Sequence, residues 1–208
     1  MSLMPLFPPI IYNKMTVLEV NDRVFDNLFF QPGLYCRDIE IKILSWTLQQ
    51  LVGDYIELGV NQGATAINIC RNNPKKKIWG VDFTESIQLH EGQKSEQPNS
   101  ETIGLYCKDE PNFTLLNANS WNVKMPDHIG MVFIDANHSY EGVKKDTENV
   151  FRQINPGTII FWHDYHYENV DLNHMAVNAY IDNEVIGKIP NMPIYQFKNT
   201  WLIVGRVP

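Results

Sequence analysis

Hydrophobic positions along the chain follow two alternating patterns, helical spacing and short continuous runs. Apolar residues recur every three or four positions over residues 38–51, which predicts an amphipathic helix that Gly53 ends. Continuous runs rich in β-branched and aromatic residues predict buried strands at residues 55–58, 77–83, 113–117, 131–134 and 158–162. Further helices are predicted at residues 64–71, 141–154 and 174–185, and two closing strands at residues 194–197 and 201–207.

This alternation of strands and helices predicts an α/β domain with a mostly parallel sheet. The strands are continuously apolar, which is typical of a sheet covered by helices on both faces. The two closing strands are predicted to form an antiparallel hairpin at one edge. We expect one domain over residues 37–208 and an N-terminal extension, residues 1–36, packing on it. The polar interval 84–112 is long for a connection, and we interpret it as a partly helical flap over the cleft.

Composition excludes several classes of protein and partner. The 17 basic and 24 acidic residues give a net charge of −7, which repels phosphate backbones and argues against a nucleic-acid partner. The three cysteines lack C-x-x-C spacing, which indicates a reducing compartment without a disulfide framework. No signal peptide and no apolar run of about 18 residues is found. We therefore expect a cytoplasmic protein without a membrane partner.

The candidate ligand site lies where the first two strands end. Ligands of open parallel sheets bind beyond the carboxyl ends of the strands. The first strand runs into the turn E-L-G-V-N-Q-G at residues 57–63, where Gly59 and Gly63 let the backbone approach a ligand and the next helix presents free N–H groups. Asp82 follows Gly63 by 19 residues, at the end of the second strand, where it is placed to bind a ribose diol.

Two details of this turn separate a dinucleotide from S-adenosylmethionine. The turn lacks the middle glycine of G-x-G-x-x-G, which lets a pyrophosphate approach. Glu57 also puts a negative charge where a dinucleotide carries phosphates, whereas it attracts the ammonium and sulfonium of S-adenosylmethionine. A plainer alternative is that Glu57 only bridges local groups and the glycines only turn the chain.

The chain resembles a known family in several stretches. The turn at residues 57–63 and the G-V-D at residues 80–82 look like the first two motifs of class I methyltransferases. The stretch F-I-D-A-N-H-S-Y-E-G-V at residues 133–143, Asp146, N-P-G-T at 155–158 and H-D-Y at 163–165 are similar to methyltransferase family 24, relatives of macrocin-type O-methyltransferases and cephalosporin hydroxylase-like proteins. The resemblance covers residues 54–165. It implies a Rossmann-like fold with a seven-stranded, mostly parallel sheet and an antiparallel edge strand.

The same resemblance implies a set of residues for S-adenosylmethionine. Glu57, Gly59 and Gly63 would meet its methionyl part, Asp82 its ribose, and Asn119 with Ser120 its adenine. The predicted cofactor-binding residues are Glu57, Gly59, Asn61, Gly63, Asp82, Phe83, Asn119, Ser120 and Asp135.

Acids and histidines end two further strands. Asp135 and His138 follow the fourth strand, and His163 and Asp164 follow the fifth, so these side chains are expected in one cleft. Two carboxylates and two imidazoles suit either a general base or a divalent metal. The catalytic candidates are His138, His163 and Asp164, and the metal candidates are Asp135, His163 and Asp164. Some relatives hold Mg²⁺ with acids at the positions of Asp135 and Asp164 and a carboxylate where His163 stands. Imidazole suits softer metals, so a histidine at this position weakens the case for Mg²⁺. Purely structural roles are a third interpretation.

These observations predict an S-adenosylmethionine-dependent methyltransferase that acts on an oxygen of a small hydroxylated molecule. A histidine base would make activity rise with pH through roughly 6 to 7. The alternatives are a nicotinamide-dependent oxidoreductase and a non-catalytic nucleoside-cofactor-binding module of the same fold. The sequence leaves open whether the chain forms a homo-oligomer and whether a divalent metal takes part.

Overall fold

The chain folds into nine strands and four α-helices over the residues that this computed structural model describes, which are 9–12, 15–20, 25–32, 36–83, 102–165 and 175–208. The strands are β1 (Pro9–Tyr12), β2 (Met15–Leu18), β3 (Asp54–Leu58), β4 (Ile78–Asp82), β5 (Phe113–Asn117), β6 (Ile129–Ile134), β7 (Ile159–Trp162), β8 (Ile194–Phe197) and β9 (Ile203–Arg206). The helices are α1 (Asp38–Gln50), α2 (Ala64–Asn72), α3 (Tyr140–Phe151) and α4 (Met175–Tyr180), which continues into a π-helical turn, Ile181–Val185; a short 3₁₀ turn spans Leu105–Cys107.

The sheet is mostly parallel, and its strand order is β1-β2-β8-β9-β7-β6-β3-β4-β5. Strands β3 to β7 are parallel to their neighbours within that group, and β9 is antiparallel to both β7 and β8. The chain runs from β3 through β4 to β5 on one side and then returns to β6 on the other side of β3. The carboxyl ends of β3 and β6 therefore flank the point where strand order reverses, which is where open α/β sheets bind ligands.

Helices cover both faces of the sheet, as the apolar runs predicted. Side chains of β6 alternate between two apolar clusters, with Met131 and Phe133 in one and Val132 and Ile134 in the other. Helices α1 and α2 contribute to the first cluster, and α3 and α4 to the second. Because β3, β6 and β7 are buried from both sides, their sequences are mostly apolar rather than alternating.

The N-terminal strands extend the sheet beyond the seven strands that the sequence predicted. Strand β2 pairs in parallel with β8, and β1 adds an antiparallel edge. The β8–β9 hairpin is therefore inside the sheet. The sequence had suggested that this hairpin lies at one edge, and that prediction is wrong. Each N-terminal strand has only four residues, which is too short for hydrophobic periodicity to identify it. The domain boundary at residue 36 stays a prediction.

No helix within the described parts of the chain has the length and apolar character that crossing a bilayer requires.

The packing of β2 predicts how much the N-terminal segment stabilises the fold. Leu18 is completely buried in the same apolar cluster as Phe197, so Leu18→Ala should lower the free energy of unfolding by about 2–5 kcal/mol. Val52→Ala is the control, because Val52 is 95% exposed and its truncation should change stability by no more than about 0.5 kcal/mol. Urea denaturation measures both changes. Equal stability of the Leu18 variant and the wild type would show that β2 packs only loosely on the sheet.

Candidate active site

The glycine turn between β3 and α2 comes into close contact with the end of β6. Gly59 has a φ of +90°, and a Cβ at this position would clash with the backbone oxygen of Asp135. Gly63 has a φ of +85° and is the N-cap of α2, where no side chain caps the helix. The turn therefore brings the backbone of β3 against that of β6, and its N-cap glycine offers no side-chain acceptor to the first N–H groups of α2.

Asp82 ends β4 and lies against this turn. Its Oδ2 accepts a hydrogen bond from the backbone N–H of Asn61 at 2.8 Å, and its Oδ1 accepts one from the N–H of Phe83 at 2.8 Å. Burial raises the pKa of the Asp82 carboxyl, and these two hydrogen bonds oppose that rise. Each carboxylate oxygen has a second lone pair, so the group is suited to accept two further hydrogen bonds from a diol.

Glu57 is a buried carboxylate at the end of β3. It accepts a hydrogen bond from the hydroxyl of Tyr55 at 2.9 Å, a partner that the sequence analysis did not identify. Burial raises the pKa of Glu57 to about 8, and the negative charges of Asp135 and Asp82 add to the rise. A positively charged ligand at this end of the sheet would therefore favour the ionised form of Glu57.

Residues 102–107 contact the glycine turn through backbone hydrogen bonds. The N–H of Gly104 donates to the backbone oxygen of Asn61 at 2.7 Å, and the N–H of Tyr106 donates to that of Gln62 at 3.0 Å. This end of the flap interpreted at residues 84–112 is thus hydrogen-bonded to the turn. Residues 84–101 of the same interval lie outside the described residues.

Asn119 and Ser120 follow β5, two strands away from β3. The Asn119 side chain accepts a hydrogen bond from the N–H of Trp121 at 2.9 Å. The backbone oxygen of Ser120 accepts one from Asn149 of α3 at 2.9 Å. These bonds order the loop against α3, and the adenine contact that the resemblance implies stays a prediction.

A chain of buried ion pairs begins where β7 ends. His163 is 5% exposed, and its Nδ1 lies 3.1 Å from Oδ1 of Asp135 while its Nε2 lies 3.1 Å from Oε2 of Glu40. Glu40 lies in the first turn of α1, where it accepts hydrogen bonds from the N–H groups of Arg37 at 2.8 Å and Trp201 at 2.6 Å. Glu40 was not predicted as a site residue, and its one signal in the sequence is its helix-capping position.

Both nitrogens of His163 face carboxylates, and this decides its protonation. Burial lowers the pKa of the ring, but the Cys36 thiol and the Asp135 carboxylate beside it raise that pKa well above its ordinary value. The pKa of Glu40 is lowered, because burial is outweighed by His163 and by the two backbone N–H donors. His163 is therefore an imidazolium held between two carboxylates, and it is poorly suited to accept a proton from a substrate.

His138 occupies the accessible side of the same group. Its Nε2 lies 3.1 Å from Oδ2 of Asp164 and 3.4 Å from Oδ1 of Asp135, and 43% of its side chain is exposed. Burial lowers the pKa of His138, but Asp135 and Asp164 raise it above its ordinary value. Asp164 is buried and has a left-handed backbone with φ +60°. The structure thus brings Asp135, His138, His163 and Asp164 together, with His163 inside and His138 at the surface.

Comparisons with known proteins give a family and a fold. A family model described as a methyltransferase domain matches residues 56–165. An uncharacterized protein, R132, of Acanthamoeba polyphaga mimivirus is 26% identical over 173 residues, which cover 74% of this chain and 72% of that protein.

Two solved structures share the fold. The methyltransferase PaMTH1 of Podospora anserina, solved with S-adenosylhomocysteine bound, aligns with a TM-score of 0.61 and 11% identity over 83% of this chain and 79% of that one. The O-methyltransferase TomG of Streptomyces achromogenes, involved in tomaymycin synthesis and solved with S-adenosylmethionine, gives a TM-score of 0.56 and 12% identity over 89% and 85%. At these identities the likeness shows the fold alone.

The geometry of Asp82 predicts how a mutation changes cofactor affinity. Asp82→Asn keeps the size of the side chain but loses the charge, and we expect it to weaken S-adenosylhomocysteine binding by about 1.5–3 kcal/mol, since charge-assisted hydrogen bonds are lost. Asp127→Asn, in an exposed turn before β6, is the matched control and should bind as the wild type does. Isothermal titration calorimetry measures both affinities. Unchanged binding by Asp82→Asn would mean that the ribose lies elsewhere, and saturable binding of NAD alone would contradict the cofactor assignment.

Proposed function

Because the chain belongs to the methyltransferase family whose model matches residues 56–165, it is an S-adenosylmethionine-dependent methyltransferase, and we propose that it methylates an oxygen of a small hydroxylated molecule. The observation that carries this proposal is the half-exposed His138 held between two carboxylates beside the glycine turn. A base at this position can take the proton of an acceptor hydroxyl.

The end of the sheet suits a cationic cofactor. When bound, S-adenosylmethionine supplies a methyl group already activated by a sulfonium. The carboxyl groups of Glu57, Asp82 and Asp135 lie at the ends of β3, β4 and β6, and their mutual repulsion contributes to the raised pKa of Glu57. A ligand with an ammonium and a sulfonium relieves this repulsion, whereas the phosphates of a dinucleotide would increase it. We propose that the cofactor is held by Glu57, Gly59, Asn61, Gly63, Asp82, Phe83, Asn119, Ser120 and Asp135.

The two histidines take different roles in this proposal. His138 removes the acceptor proton, and Asp164 orients its ring through the 3.1 Å contact at Nε2. His163 is a positioning residue, since its ring nitrogens face Glu40 and Asp135 and its side chain is buried. The remaining contribution of the protein is to align the hydroxyl with the methyl carbon, because the leaving group needs no activation.

A metal held by Asp135, His163 and Asp164 is the alternative. Nδ1 of His163 lies 3.1 Å from Asp135 and 3.4 Å from Asp164, so the three side chains lie together. The set fits Mg²⁺ poorly, because Mg²⁺ prefers oxygen ligands and these carboxylates already face a charged imidazole. We therefore propose that methyl transfer does not use a metal at Asp135, His163 and Asp164.

We propose the class of acceptor and the cellular compartment from the net charge, a structural relative and the state of the cysteines. The net charge of −7 disfavours nucleic acid as an acceptor, and a structural relative, TomG, is described as an O-methyltransferase. All three cysteines are free and buried, which suits the reducing cytoplasm.

The raised pKa of His138 predicts the pH dependence of methyl transfer. Only the neutral ring accepts a proton, and a raised pKa postpones the appearance of the neutral form to higher pH. Activity should therefore rise with pH through a midpoint above the ordinary histidine value of about 6.5, higher than the sequence alone suggested. The His138→Ala variant should not show this rise with pH, and its kcat should be about 10²–10⁴-fold lower than that of the wild type. Formation of S-adenosylhomocysteine with a panel of phenols, catechols and sugars measures the rate.

His128→Asn is the control for this experiment, because His128 is an exposed histidine in a turn before β6. It should keep both the rate and the pH profile of the wild type. Full activity of His138→Ala, with Asp135→Asn and Asp164→Asn as damaging as His163→Ala, would favour the metal alternative. Cofactor binding without turnover of any hydroxylated acceptor would contradict the proposed O-methylation and favour a non-catalytic module.

A further inference from the structure

A second cluster of metal-ligating side chains shares His163 with the first. It consists of Cys36, before α1, Glu40, in the first turn of α1, and His163, after β7. All three residues are at most 5% exposed, and their ligand atoms lie within 4.8 Å of one another. Sγ of Cys36 is 3.7 Å from Nε2 of His163, which is 3.1 Å from Oε2 of Glu40. The proposed methyl transfer uses neither Cys36 nor Glu40.

We propose that Cys36, Glu40 and His163 bind a divalent transition-metal ion of the zinc class. Ligand atoms about 2.0–2.3 Å from a tetrahedral zinc ion lie about 3.3–3.6 Å from one another. The Sγ–Nε2 separation of 3.7 Å and the Nε2–Oε2 separation of 3.1 Å each lie within a few tenths of an ångström of these values. A thiolate, an imidazole and a carboxylate together favour zinc or cobalt over Mg²⁺ or Ca²⁺.

The surroundings already orient two of the three ligands. The nitrogen of His163 that faces away from the cluster, Nδ1, lies 3.1 Å from Oδ1 of Asp135, and a metal-bound histidine commonly donates its other N–H to a carboxylate. Glu40 is oriented by the N–H of Trp201, which donates to Oε1. The ligands therefore need little rearrangement to receive an ion.

Charge balance also allows a divalent ion here. A metal ion at this cluster takes the place of a proton on the Sγ of Cys36 and of a proton on the Nε2 of His163. When the ion binds, these two protons leave for solvent, and the freed lone pairs on Sγ and Nε2 bond to the metal. Two positive charges replace two protons, so this exchange leaves the net charge of the cluster unchanged.

Cobalt titration of the full-length protein, after removal of metals with a chelator, tests the proposal without any acceptor or cofactor. We expect one Co²⁺ per chain with a near-ultraviolet sulfur-to-cobalt charge-transfer band, and displacement of that ion by Zn²⁺. Cys36→Ser should abolish the band and weaken the affinity for Co²⁺ at least about 100-fold. Removal of a hydrogen-bond partner of a metal ligand already weakens metal affinity about 10–100-fold, and Cys36 is itself a ligand. Glu40→Gln should weaken affinity while keeping the band.

Two control variants show which residues hold the ion. Cys70→Ser changes another buried free cysteine, in α2, and should leave the band intact. His138→Ala should also leave it intact, which separates this site from an ion at Asp135, His138 and Asp164. A wild-type protein that shows no sulfur-to-cobalt band would overturn the proposal, and so would a band that persists in Cys36→Ser. Neither result depends on whether the protein methylates oxygen.

Discussion

The arrangement of the site depends on one buried charge, the imidazolium of His163. An imidazolium with so little solvent around it is stable only if paired, and Glu40 and Asp135 each approach one of its nitrogens to 3.1 Å. Glu40 in turn accepts an N–H from Trp201, before β9. Through this single ring, α1, the end of β6, the end of β7 and the start of β9 are held together. Loss of either carboxylate would leave a buried charge without its partner.

Burial gives two histidines of the same cleft different chemistry. His163 lies inside, between two carboxylates, where its side chain is closed to solvent. His138 touches the same Asp135 but has 43% of its side chain exposed, so a substrate can reach it. Asp135 faces both rings, so the position of the surface histidine depends on the buried one. This division of roles follows from solvent access and not from residue type.

The N-terminal segment contributes more to the molecule than its weak pattern indicates. Strand β2 extends the sheet beside β8, and Leu18 is fully buried in the core. Cys36 places its thiol 3.7 Å from His163, immediately before α1 brings Glu40 to the same ring. The segment thus both extends the sheet and completes the environment of His163, which follows Cys36 by more than a hundred positions.

The central part of the fold was determined by local pattern. The runs at β3, β6 and β7 are mostly apolar because helices bury both faces of each strand, so successive residues, and not only alternate ones, must be apolar. The strand-end residues Glu57, Asp82 and Asp135 could likewise be identified, because the topology of a parallel sheet places all strand ends on one edge.

What only the tertiary structure decided is which side chains pair and how deeply they are buried. Glu40 has the pattern of an ordinary helix-capping residue, and nothing near it in the chain indicates His163, 123 positions later. The two histidines are likewise equivalent in sequence, each beside strand-end acids. Their protonation depends on solvent exclusion and on distances of about 3 Å, which arise only when α1, β6, β7 and the hairpin pack together. Local periodicity specifies elements, whereas the charge of a buried group is set by neighbours that are distant in the chain.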